Sequence, residues 1–200
     1  MDIFSYILGK KAGGGLGTYL DATYIESTGS QYIDTGIKPN NTTKVEIEFQ
    51  ETNKYGNWPK VFGSEKDHDN LSFKADLTDN TYIHYIDTEY TISKLEVNQY
   101  EKHTFTLEEG FITYGSKELS FTETRQWSNN YNIYLFCCNR SNTPVENSAI
   151  KIFHCKIWNN GELVRDYIPK FRLTDYKFGL LDRVSGEFFI NSGTGSFTGE

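Results

Sequence analysis

From about residue 19 onward, apolar and polar positions alternate with a period of two, in short runs separated by Gly, Asn, Asp and Ser. Residues 43–50 show it most clearly. Val45, Ile47 and Phe49 fall on one face and Lys44, Glu46, Glu48 and Gln50 on the other, as in a strand buried on one side. Residues 149–169 are the stretch around which the rest is organised. Phe153, Cys155 and Ile157 are predicted on one face, and His154, Lys156 and Trp158 on the other. Asn160-Gly161 supplies the two positive-φ residues of a two-residue hairpin turn. Residues 163–168 return as a second run, and Pro169, with no N–H to donate, is predicted to stop the ladder.

Further strands are predicted over 23–27, 31–34, 60–63, 71–76, 81–86, 90–93, 103–108, 110–114, 117–122, 133–138, 178–183 and 187–190. Turns are expected at Glu109-Gly110, Gly115-Ser116 and Ser185-Gly186. The run 133–138 is apolar on both faces, which predicts a central strand. No helical period occurs after residue 20. Many short strands with frequent turn signals predict an all-β chain folded as an antiparallel sandwich or barrel. Phe49, Phe105, Leu107, Phe121, Leu135, Phe153 and Ile157 are its expected core.

The first eighteen residues differ in character. Ile3, Phe4, Ile7 and Leu8 share one helical face, and Asp2 and Lys10-Lys11 complement the helix dipole. A glycine-rich linker follows. The segment 1–18 is therefore expected to be an amphipathic docking helix on a tether, seated on a partner or a second copy, with residues 19–200 forming the domain. A helix this short is unstable alone in water. The bland alternative is that it lies back on its own sandwich.

Composition changes the picture only by exclusion. Two hundred residues can bury a core without metal or disulfide support. A net charge of −7 argues against nucleic acid. No apolar run approaches the roughly 20 residues of a membrane helix. Cys137, Cys138 and Cys155 make no disulfide framework or metal spacing and are expected to be buried free thiols.

Several stretches then carry a resemblance. Tyr24-Ile-Glu-Ser-Thr-Gly-Ser-Gln-Tyr-Ile-Asp-Thr-Gly36, Val61-Phe-Gly63, Leu135-Phe136 with Asn139-Arg140, and residues 152–169 resemble concanavalin A-like, laminin G-like jelly-roll domains. The ending, Gly179-Leu-Leu-Asp-Arg-Val-Ser-Gly-Glu-Phe-Phe-Ile-Asn-Ser-Gly-Thr-Gly-Ser-Phe197, resembles the variants carried by phage and prophage structural proteins of gut Firmicutes. An amphipathic head followed by glycines is similar to what precedes those domains in virion proteins. The resemblance implies a jelly-roll sandwich in a virion protein made in a bacterial cytoplasm. It implies no site residue.

Candidate chemistry sits in loops. Trp58, Arg125, Trp127, Asn129, Asn130 and Arg140 combine aromatic faces for the C–H side of a sugar ring with groups that satisfy hydroxyls. They are the expected carbohydrate-binding residues, against the alternative that Trp58 and Trp127 merely cap the sandwich. No cofactor is expected. Residues 65–70, Glu-Lys-Asp-His-Asp-Asn, could offer oxygens to calcium but are read as a solvated acidic turn. Glu46 and Glu51 stand close to the carboxylate spacing of jelly-roll glycosidases, provided the strand bulges to bring them onto one face. The expected function is a non-catalytic virion accessory protein. Its head would bind other virion proteins and its domain host-surface glycan. A purely structural decoration or adaptor is the alternative, and a glycoside hydrolase a more remote one.

Overall fold

The computed structural model describes residues 18–53, 59–66, 70–74, 80–93 and 100–200. The expected docking helix, with Ile3, Phe4, Ile7 and Leu8, lies outside them, as does Trp58. Within them the chain is all β, with no helix. The strands are β1 (Tyr19–Asp21), β2 (Ile25–Glu26), β3 (Ile33–Asp34), β4 (Lys44–Asn53), β5 (Lys60–Glu65), β6 (Leu71–Lys74), β7 (Asn80–Tyr85) and β8 (Thr88–Ser93). They continue as β9 (His103–Glu108), β10 (Phe111–Tyr114), β11 (Lys117–Ser120), β12 (Tyr134–Leu135), β13 (Cys138–Arg140) and β14 (Thr143–Val145). The last five are β15 (Ala149–Asn159), β16 (Glu162–Arg172), β17 (Lys177–Asp182), β18 (Phe188–Phe189) and β19 (Thr198–Gly199).

These strands form two sheets packed face to face. The larger runs β11-β10-β9-β4-β15-β16-β17-β18, with β1 on β16 and with β2 joining β15 to β19. The smaller runs β14-β13-β5-β6-β7-β8, with β12 joining β3 to β5. Pairing is antiparallel except where β13 runs parallel to β5. Val45, Ile47, Phe49, Phe105, Leu107, Ile152, Cys155 and Ile157 from one sheet and Phe62, Leu71, Ile83 and Leu135 from the other bury into one core. Phe62 and Phe105 meet across it, ring centroids 5.9 Å apart. The Asn160-Gly161 turn has φ of 53° and 79°, as a two-residue hairpin needs. All three cysteines are free and buried.

Three expectations are corrected. Phe153 is only half-buried and faces away from the core: β15 carries an extra residue against β4 between Ile152 and His154, a bulge that turns Phe153 outward. There its ring meets Tyr24 edge-on at 5.7 Å, with the Lys102 ammonium 5.1 Å above. Phe121 is likewise half-buried, packing against the edge of the core beyond the end of β11 with its ring tilted on Tyr90 and Tyr85. Pro169 does not end the ladder either, since β16 continues to Arg172. Its carbonyl accepts from Ala22 N–H on the β1 side, so its nitrogen points that way too and the β16–β17 ladder loses nothing.

The run 133–138 is buried as expected but is two strands rather than one. Phe136 adopts φ +70°, and the chain reverses there. β12 therefore pairs antiparallel with β5 and β13 parallel with it. Buried backbone groups at the reversal are satisfied: Phe136 N–H donates to the Val61 carbonyl, and Ser148 donates from N–H and hydroxyl to the Phe136 carbonyl.

Candidate functional site

The loop 125–128 and the turn entering β4 come together at one end of the sandwich. Asn40 forms an isolated β-bridge with Ser128, and Asn41 N–H donates to the Trp127 carbonyl at 3.2 Å. Asn129 N–H donates to the Pro39 carbonyl at 2.9 Å. Pinned this way, Asn40, Asn41, Arg125, Gln126, Trp127 and Ser128 line an open depression of about 580 Å³. Arg125 reaches the Asp87 carboxylate at 3.0 Å. Asn40 is held by its neighbours: its side-chain oxygen accepts from Thr42 N–H and hydroxyl, and its amide donates to Asn160 Oδ1.

Trp127 has a different role from the one its loop suggests. It is 6% exposed and belongs to the core, its ring edge-on to Tyr85 at 5.6 Å. The Tyr85 hydroxyl donates to the Asn41 carbonyl at 3.3 Å. Trp127 is thus the floor of the depression and offers no ring face to a sugar. Asn129 is also buried, its side-chain oxygen accepting from Tyr131 N–H. Asn130 is exposed at the turn beside it. Of the expected contact residues, the fold brings Arg125 and Trp127 to one depression. Asn40 and Asn41 join them there, and only the bridge to Ser128 reveals it.

Arg140 belongs to a second cluster, on the smaller sheet. Its guanidinium donates to Glu65 Oε2 from Nε (3.1 Å) and NH2 (2.7 Å), and NH2 also reaches Glu146 Oε1 at 3.0 Å. Lys60 Nζ donates to Glu65 Oε1 and to Ser72 Oγ, each at 2.9 Å, and Ser72 donates to Glu65 Oε1 at 3.0 Å. Burial alone would raise the Glu65 carboxyl. The Lys60 charge and the hydrogen bonds from Arg140 and Lys60 outweigh it and bring the pKa down to about 2. Burial and the same lysine hold His84 below its usual value. Burial pushes the Cys138 thiol, packed against Gly63, well up. With both carboxylate oxygens engaged, Glu65 is not available to a hard cation. Asn70, at the other end of the expected calcium stretch, accepts from Lys66 N–H. The residues between, 67–69, lie outside the described ones.

The carboxylate pair Glu46 and Glu51 is not assembled. β4 keeps strict alternation from 45 to 51, its only extra residue against β15 falling beyond Glu51. Glu51 therefore points inward with Phe49 and is 4% exposed, whereas Glu46 faces out beside Lys156 at 3.6 Å. The two lie on opposite faces of one strand, which removes the nucleophile-and-acid geometry that spacing allowed. No protein-family model matches the chain, and no curated protein matches it.

Proposed function

We propose that residues 19–200 form a non-catalytic, concanavalin A-like jelly-roll domain that binds host-surface carbohydrate along the depression at Asn40, Asn41, Arg125, Gln126 and Ser128. In this reading residues 1–18 dock the domain onto other virion proteins. The observation that carries it is the depression itself. It is open, it lies at a sandwich end, and its rim of amides, a hydroxyl and a guanidinium matches the donors and acceptors of sugar hydroxyls. Arg125 replaces Trp127 as the central contact, since the tryptophan is consumed by the core. An open site with no exposed ring binds weakly. Display in many copies on a flexible tether converts weak contacts into avidity through effective concentration.

The test is capture of Firmicute cell-wall polysaccharide by the full-length chain displayed as a multimer. Arg125→Ala combined with Gln126→Ala is expected to reduce capture at least about tenfold with the melting temperature unchanged. Trp127→Ala is not a usable probe, because it opens the core. No capture by the parent multimer would leave a purely structural decoration or adaptor as the better reading.

A further inference from the structure

We propose a second saccharide site at the opposite end of the sandwich, shaped for the terminal residue of a chain; the choice of ligand class rests on the reading above. β16 separates the two ends. Its Asn160 turn touches Asn40 at the rim of the depression, and its far end, eleven strand residues on, leads into the turn that carries Tyr176. That is roughly 33 Å of extended chain.

A pocket of about 110 Å³ lies between this turn and the loop that leads into β19. Tyr176, Phe178 and Phe197 give it aromatic walls, and Lys177, Asn191 and Ser196 a polar edge. Tyr176 is the informative residue. It is 65% exposed, and its backbone sits at φ +58°, a region that bulky residues avoid and that Gly or Asn fills when only a turn is needed. The neighbouring contacts fix it there. Arg172 clamps Asp175 with two hydrogen bonds, of 2.9 and 2.7 Å, and Leu173 N–H donates to the Thr18 carbonyl. The turn thus keeps a large ring mostly in water beside a pocket, its contact with the Phe171 ring, centroids 6.3 Å apart, leaving most of it unburied.

The facing wall is rigid. Asn191 Oδ1 accepts from the N–H groups of Tyr32 and Gly193, and its amide donates to the carbonyls of Thr194 and Gly195. With those bonds made, Asn191 positions the loop, and Lys177 faces the Asp175 carboxylate at 4.0 Å, so the groups left to a ligand are the Ser196 hydroxyl and the rings. An aromatic wall with a hydroxyl edge and no buried charge suits a neutral ring that is apolar on one face and hydroxylated around its rim. The space equals roughly three to four waters, enough for part of one ring and no more. The ligand must therefore present a chain end, whereas the open depression at the other end can take an internal segment.

The test titrates the ¹⁵N-labelled full chain with the methyl glycosides of glucose, galactose, mannose and N-acetylglucosamine. At least one should shift the amide resonances of Tyr176, Phe178 and Ser196. Tyr176→Phe should bind as the parent does. Tyr176→Gly should bind about tenfold more weakly, with a melting temperature unchanged or raised because the turn is relieved. Arg125→Ala should leave these shifts intact. If none of the four glycosides moves the pocket amides, or the glycine variant binds like the parent, the site is wrong. Pocket shifts without polysaccharide capture would uphold this site and overturn the depression; capture with a silent pocket would do the reverse.

Discussion

Glu48 on the larger sheet and Lys102, just before β9, approach to 2.9 Å, the same separation as Lys60 and Glu65 on the smaller sheet. Their surroundings differ. The Lys102 and Glu48 side chains are 50% and 33% exposed, those of Lys60 and Glu65 only 4% and 11%. In the first pair, water solvates each charge whether or not the other is present. In the second, each charge depends on the other, on Ser72 and on Arg140 for the solvation it has lost. Equal distances therefore conceal unequal energies. The buried pair adds little over an apolar pair of the same shape, yet losing one partner strands the other.

The largest test of that contrast is Glu65→Gln. It leaves the buried Lys60 ammonium with only the more distant Glu146 carboxylate, 3.9 Å away, and should lower the unfolding free energy by about 3–5 kcal/mol in urea titrations. A loss below about 1 kcal/mol would mean that Lys60 finds water, and the contrast would collapse.

Acid provides the next. The folded Glu65 carboxyl titrates near 2, below its ordinary 4.5. A depressed acid stabilises the fold above its unfolded pKa, and that contribution is lost as pH falls from 4.5 toward 2. About 3 kcal/mol should disappear across this window, and the Glu65→Gln protein should lack that component. Identical acid slopes in the two proteins would show that Glu65 is not the group responsible.

The smallest effect is expected of Glu48→Gln: less than about 1 kcal/mol, shrinking further in high salt. A salt-independent loss of several kcal/mol would place that face in a drier setting than its exposure indicates.

The same contrast explains what the sequence could reveal. β4 is legible because one strand's alternation reports one strand's faces, and Val45, Ile47 and Phe49 are buried where the period puts them. Phe153 is not, because its bulge is a property of two strands a hundred residues apart and leaves no mark on the local pattern. Glu51 is the converse case. The simple period placed it inward, and only the hope of a bulge made it catalytic. Trp127 shows the limit for sites. An aromatic among amides reads equally as a sugar platform and as a core plug, and what decides is Tyr85, forty residues earlier, presenting its ring to the indole edge. The charge cluster was invisible for a related reason. Lys60 and Glu65 stand at the two ends of β5, Arg140 on β13 and Glu146 in a loop, and nothing in their spacing says that Lys60 and Glu65 are dry.

The pairing of β4 with β15 has a kinetic consequence. Phe49 and Ile152, partners in the most central ladder, are about a hundred residues apart, and β2 waits longer still for β19. As the chain is synthesised, β4 can pair with β9 early, but it must keep its other edge open until β15 emerges. At typical elongation rates of roughly 5–20 residues per second, that edge stands unpaired for several seconds. An apolar strand so exposed is a template for pairing with another nascent chain. The outward row Lys44, Glu46, Glu48 and Gln50 puts three charges along that strand throughout the wait, the device by which sheet edges discourage association.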